Sequence, residues 1–239
     1  MYNNFLRQLI SGKCQLTSLR FNIPYNYSSI DIQCLSLFSD FCSHSMFNTA
    51  QYCCMTLRYL HIHLNLTCFL EQLIERVPNL ERLSVYLPVL WDKDSPSGPP
   101  IKRFVQSNEA WSNKTSDELL KNALKNVRYA EFCLTSCHFG SNQSIGIGNF
   151  LVLVLSNYMP HLQTLRLWRP DDFPWTTNKH VTVFEQDLCQ LVTELKQFVF
   201  LDIYSDTDSE KVEPYRSMVQ KRFPNSQLCI DKLRFRLWI

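Results

Sequence analysis

The chain has 239 residues, of which 45% are hydrophobic and 13% aromatic, and its formal net charge is +2. That length and apolar content are enough to bury a substantial core, and they exclude an intrinsically disordered chain. A charge so near neutrality gives no general attraction to nucleic acid or an anionic membrane, and the longest apolar run, Phe150 to Leu155, falls far short of the ~20 residues that span a bilayer.

Taken in chain order, the first apolar triplet is Leu16, Leu19 and Phe21, in the spacing L-x-x-L-x-L, and it predicts a short strand. A loop and a helix near Leu35 to Phe41 follow. The second triplet is Leu57, Leu60 and Ile62. Here Leu60, Ile62 and Leu64 alternate with Tyr59, His61 and His63, so the two sets lie on opposite faces of a half-buried strand. Phe69, Leu70, Leu73, Ile74 and Val77 then form a helical apolar stripe that Pro78 ends, ahead of the triplet Leu80, Leu83 and Val85. Residues 88–118 carry Pro88, Pro96, Pro99 and Pro100 without periodicity and read as an exposed loop insertion. Three more triplets follow: Val127, Ala130, Phe132; Leu162, Leu165, Leu167; and Leu195, Phe198, Phe200. The acidic stretch from Asp202 to Glu213 reads as a solvated turn. Residues 212–239 predict a helix near Tyr215 to Phe223, one or two strands, and a C-terminal cap.

Each unit is therefore a helix, a turn and a strand, and no single unit can bury its apolar face alone. The triplets begin at 16, 57, 80, 127, 162 and 195, and self-similarity at roughly 20 to 50 residues is the signature of a solenoid. The expected fold class is α/β: a leucine-rich-repeat-like solenoid, a right-handed α/β horseshoe with parallel strands on the concave face and helices on the convex face. One irregular repeat domain is expected to span 1–239.

The helix followed by P-x-L-x-x-L-x-L, as at Pro78, resembles the irregular leucine-rich repeats of the F-box/leucine-rich-repeat proteins, substrate receptors of cullin-based ubiquitin ligases. The resemblance extends from about Leu6 to Phe200. Two departures stand beside it. The position after the strand, usually Asn or Cys in that family, is Asn65 in one copy but Pro24, Pro88, Thr135, Pro170 and Ile203 in the others. No F-box is found, since the chain opens at YNNFLRQLISGKCQLTSL, already inside a repeat. The resemblance implies a non-enzymatic protein–protein interaction module, a substrate-recognition part of such a ligase.

The ten cysteines are scattered in a chain too long to need disulfide staples, so they read as reduced, buried hydrophobes of a cytoplasmic or nuclear protein. The sequons at Asn26, Asn65, Asn113 and Asn142 read as chance occurrences without a signal peptide. Cys133, Cys137 and His138 lack a second ligand pair at zinc spacing, and Gly140, Gly146 and Gly148 do not complete a phosphate-binding motif. Neither a metal, a cofactor nor an enzymatic activity is expected.

What remains is the outward strand face, with neighbouring strands about 4.8 Å apart. One column would hold Arg20, His61, Ser84, Glu131, Arg166 and Val199, and the other Asn22, His63, Tyr86, Cys133, Trp168 and Leu201. Arg20, Asn22, His61, His63, Tyr86, Glu131, Arg166 and Trp168 are the expected partner-binding residues, because aromatic and arginine side chains are enriched at binding hot spots. The competing reading is that residues 88–118 fold over these rings and make them core. The expected partner is a protein of unspecified identity, bound by a monomer, with no membrane partner. Nucleic acid is the alternative, through Lys232, Arg234 and Arg236 on a basic C-terminal strand.

Overall fold

The computed structural model describes residues 15–22, 54–63, 74, 77–86, 118, 121–133, 151–168, 178–204, 212–231 and 234–239. The predicted helix at 35–41, the insertion at 88–117, all four sequons, Cys137, His138 and the glycine-containing segment lie outside the described residues. The chain is α/β with mostly parallel strands, and it divides into two compact units, Met1–Val127 and Arg128–Ile239.

In the first unit, β1 (Ser18–Asn22), β2 (Tyr59–His63) and β3 (Arg82–Tyr86) run parallel in that order. Their register keeps the triplets aligned: Leu19 pairs with Leu60 and Leu60 with Leu83. Leu57, Leu60, Ile62, Leu80, Leu83 and Val85 are buried together with Ile74 and Val77, because period-two alternation sends one side of every strand inward. Side chains brace successive strand starts. Thr56 Oγ1 donates to Leu16 O at 2.9 Å, Asn79 Nδ2 to Met55 O at 2.9 Å, and Arg58 Nη1 to Asn79 O at 3.1 Å.

The second unit follows the same plan and then departs from it. β4 (Tyr129–Cys133), helix α1 (151–158), β5 (Thr164–Trp168), α2 (Asn178–Glu194) and β6 (Phe200–Tyr204) give three parallel strands. After α3 (Glu213–Arg222) come β7 (Gln227–Asp231) and β8 (Arg234–Trp238). β8 inserts between β6 and β7 and is antiparallel to both. α3 starts with Glu213 and a proline and ends with Lys221 and Arg222, charges that suit the helix dipole. Tyr215, Met218 and Val219 form its buried side. Phe184 of α2 meets Tyr215 and Phe235 edge-on, at 5.4 and 5.6 Å between ring centroids, and so ties α2, α3 and β8 together.

One backbone device recurs at strand starts. The carbonyl before β1, β2, β4 and β5 accepts two N–H groups from the start of the neighbouring strand: Thr17 from Arg58 and Tyr59, Arg58 from Glu81 and Arg82, Arg128 from Gln163 and Thr164, and Gln163 from Val199 and Phe200. A matching turn ends the preceding helices, with Val127 N donating to Leu124 O, Leu162 N to Met159 O and Phe198 N to Leu195 O, each at 3.0 Å.

These bonds correct the sixth triplet. Phe198, not Leu195, is the equivalent of Leu162, so the inward residues of β6 are Leu201 and Ile203, and Leu201 is core rather than outward. Leu195 instead closes α2, where its N–H bonds to Leu191 O. Val199 precedes the strand. Asp202, expected in a solvated turn, is a strand residue with only 3% of its surface exposed.

Candidate docking faces on the sheets

In the first unit, the register aligns three rows across the strands: Ser18, Tyr59, Arg82; Arg20, His61, Ser84; and Asn22, His63, Tyr86. Five of the expected binding residues, Arg20, Asn22, His61, His63 and Tyr86, thus occupy adjacent positions. His61 Nδ1 and Ser84 Oγ are 2.9 Å apart, His63 meets the Tyr86 ring edge-on at 4.3 Å, and Arg82 lies over the Tyr59 ring at 5.4 Å. Partial desolvation lowers the His63 pKa below the usual imidazole value. Its ring is therefore neutral at physiological pH. A surface that joins these rings and hydroxyls to Arg20 and Arg82 can dock a partner by ring contacts, hydrogen bonds and local positive charge.

In the second unit, the rows are longer. Tyr129, Thr164, Phe200, Trp238 and Gln227 form one; Glu131, Arg166, Asp202, Arg236 and Cys229 the next; Cys133, Trp168, Tyr204, Arg234 and Asp231 the last. Glu131, Arg166 and Trp168, the other three expected residues, lie on this face. They are tightly interlinked. Glu131 accepts from Trp168 Nε1 at 2.6 Å and from Tyr129 Oη at 3.1 Å. Arg166 Nε lies 3.2 Å from Asp202 Oδ2, and its guanidinium sits 5.6 Å from the Tyr129 ring centroid. Burial, followed by the Glu131 charge, raises the Tyr129 pKa, so the phenol keeps its proton. Cys133 is buried and borders the face rather than presenting a thiol to solvent.

Asp202 and Tyr204 are the residues that the sequence reading missed. Asp202 is a buried carboxylate between two cations, with Arg234 Nε at 3.8 Å on its other oxygen. Tyr204 stacks on Trp168 at 4.4 Å, the rings tilted by 37°, and Arg234 lies over the Tyr204 ring at 5.6 Å. The signal was present in FVFLDIY, where a triplet Phe198, Leu201, Ile203 fits the spacing as well as Leu195, Phe198, Phe200. The result is an aromatic pair, Trp168 and Tyr204, with Arg234 over the Tyr204 ring, Arg166 in the adjacent row and Trp168 39% exposed. Such a cluster can desolvate against a partner side chain with little loss of conformational entropy.

Of the basic C-terminal residues, Lys232 lies outside the described residues, and each of the two arginines meets a carboxylate. Arg234 faces Asp202, and Arg236 donates from Nη2 to Asp231 at 2.7 Å. Phe235 and Leu237 are buried on the opposite side. Among the described residues, no cluster of three His, Cys, Asp or Glu side chains has the arrangement of a metal site, and no helix is long and apolar enough to cross a membrane. Sequence comparison finds no protein-family model that matches this chain and no match among curated proteins.

Proposed function

We propose that the chain is a non-enzymatic protein-binding module of the leucine-rich-repeat type, which docks a partner protein on the outward strand face around Trp168 and Tyr204. The repeated two-donor carbonyls at Thr17, Arg58, Arg128 and Gln163 support the repeat reading, since they arise from backbone geometry and not from the apolar pattern that suggested it. An exposed Trp168 stacked on Tyr204, with Arg234 over the Tyr204 ring, is the observation that carries the docking reading. Recognition of a substrate for a cullin-based ubiquitin ligase is the form of this function that the family resemblance implies. Thiols at Cys54, Cys133, Cys189 and Cys229 support work in a reducing compartment, the cytosol or nucleus.

The choice of variant matters. Arg166→Glu would set a carboxylate beside buried Asp202 and unfold the sheet locally, which confuses binding with stability. Trp168→Ala with Tyr204→Ala removes the rings and leaves the Asp202 ion pairs in place. Tagged chain and double variant are compared by affinity capture from lysate, with circular dichroism to show that the variant is folded. We expect a defined set of proteins to be lost with the variant, in line with about 2 kcal/mol or more for a hot-spot pair. Ligase subunits in that set would support the receptor form. Undiminished capture by the folded variant sinks the assignment of this face.

A further inference from the structure

β7 is the outer strand of its sheet, and β8 is its one hydrogen-bonded neighbour among the described residues. The phase of the ladder decides which of its peptide groups are used. Ile239 N donates to Val199 O, continuing the β6–β8 register, while Phe200 N turns the other way, to Gln163 O. Odd-numbered residues of β6 and β8 therefore bond to each other, and Arg234, Arg236 and Trp238 face β7. Opposite them stand Asp231, Cys229 and Gln227. By the same alternation, Leu228 and Ile230 direct their N–H and C=O groups to the edge away from β8, where no strand among the described residues pairs with them.

That edge is self-complementary. Laid antiparallel on a second copy about a two-fold axis at Cys229, Leu228 pairs with Ile230 of the other copy and Ile230 with its Leu228. The two pairs exchange about four main-chain hydrogen bonds. Leu228 and Ile230 lie on the core side, in register with buried Leu237 and Phe235, yet they are only half-buried, so each gains cover from its counterpart. On the outward side, Gln227 faces Asp231, an amide donor against a carboxylate, and no like charges meet. Edge strands that resist pairing carry a charge or proline in mid-strand. Here the mid-strand residue is Cys229, and the described charge, Asp231, sits at the end.

We propose that the chain forms an isologous dimer through antiparallel pairing of β7 with β7 of a second copy, in the register that sets Cys229 opposite Cys229. This departs from the monomer expected from the sequence. One strand pair buries less than the ~1,200 Å² of a stable interface, so the reduced dimer is weak and concentration-dependent. The Cys229 pair is a non-hydrogen-bonded one, with Cα atoms about 4.5 Å apart, inside the range that a disulfide spans. Oxidised glutathione traps it: two thiols lose their protons and two electrons, one protein S–S bond forms, and the glutathione disulfide becomes two thiols.

Sedimentation velocity on the full chain, under reducing conditions and across a wide concentration range, tests the dimer, and oxidised glutathione with peptide mapping tests the register. A reversible monomer–dimer equilibrium and a Cys229–Cys229 linkage, absent from Cys229→Ser, are expected. Gln227→Asp, which sets like charges opposite at both ends of the exposed strand, is expected to weaken the dimer about three- to tenfold, and Gln227→Lys to tighten it. A chain that stays monomeric, a dimer that links through other cysteines, or one that shifts the same way with both Gln227 variants overturns the proposal.

Discussion

Asp187 and Asp202 are both carboxylates withdrawn from water, and their surroundings set them apart. Asp202 has Arg166 and Arg234 on its two oxygens, so its charge is met inside the sheet. Asp187, in the middle of α2, has an oxygen shielded from solvent with no hydrogen-bond partner among the described residues, and burial pushes its pKa from 3.8 up to about 6. A folded-state pKa above the unfolded value means that the native chain holds this proton more tightly. The contribution is complete below the ordinary value of 3.8 and is lost as pH rises through about 6. Asp187→Asn is accordingly expected to stabilise the protein at neutral pH by about 1–2 kcal/mol and to bring little change near pH 4. Urea unfolding of both chains at the two pH values measures this, and a stabilisation that is largest in acid would contradict the burial argument.

At the scale of the elements, the ring cluster of Phe184, Tyr215 and Phe235 holds α2 and α3 on β8. Tyr215 is fully buried, so Tyr215→Ala should cost about 3–5 kcal/mol, whereas Tyr59→Ala on the outward face should cost about 1 kcal/mol or less, as thermal or urea denaturation will report. The strands were legible in the sequence wherever one apolar triplet stood alone. Leu57, Leu60, Ile62 and Leu162, Leu165, Leu167 are buried at the positions that their alternation demands. β6 was misread by three residues because FVFLDIY offers overlapping triplets, and Leu195 belongs equally well to a helical stripe. Spacing cannot separate two such readings. The turn bond from Phe198 N to Leu195 O does, because it fixes where the helix stops. The same slip hid Asp202 and Tyr204. An acidic residue among acidic neighbours reads as solvent-exposed unless the cations that bury it, Arg166 and Arg234, are seen to converge from strands far away in sequence. Nor does period-two alternation in residues 234–238 reveal which strand lies on either side.

For the molecule as a whole, a net charge of +2 leaves recognition to local arrangement rather than to a long-range field. Of Lys232, Arg234 and Arg236, which gave the C-terminal strand its basic look, the two arginines each face an aspartate. No saturable binding to RNA or duplex DNA is expected at physiological salt, as fluorescence anisotropy with labelled oligonucleotides would report. Saturable binding that falls steeply with added salt would restore the nucleic-acid reading.

The insertion of β8 between β6 and β7 puts spatial order at odds with chain order. On leaving β6, the chain makes α3 and then β7, as it makes α1 before β5 and α2 before β6, and the same order continued would lay β7 parallel against β6. In the native sheet that berth belongs to β8. β8 holds that place with Phe235 and Leu237 inward and Arg234 toward Asp202. Those residues end the parallel run of β4, β5 and β6, because β8 pairs with β6 in the antiparallel sense.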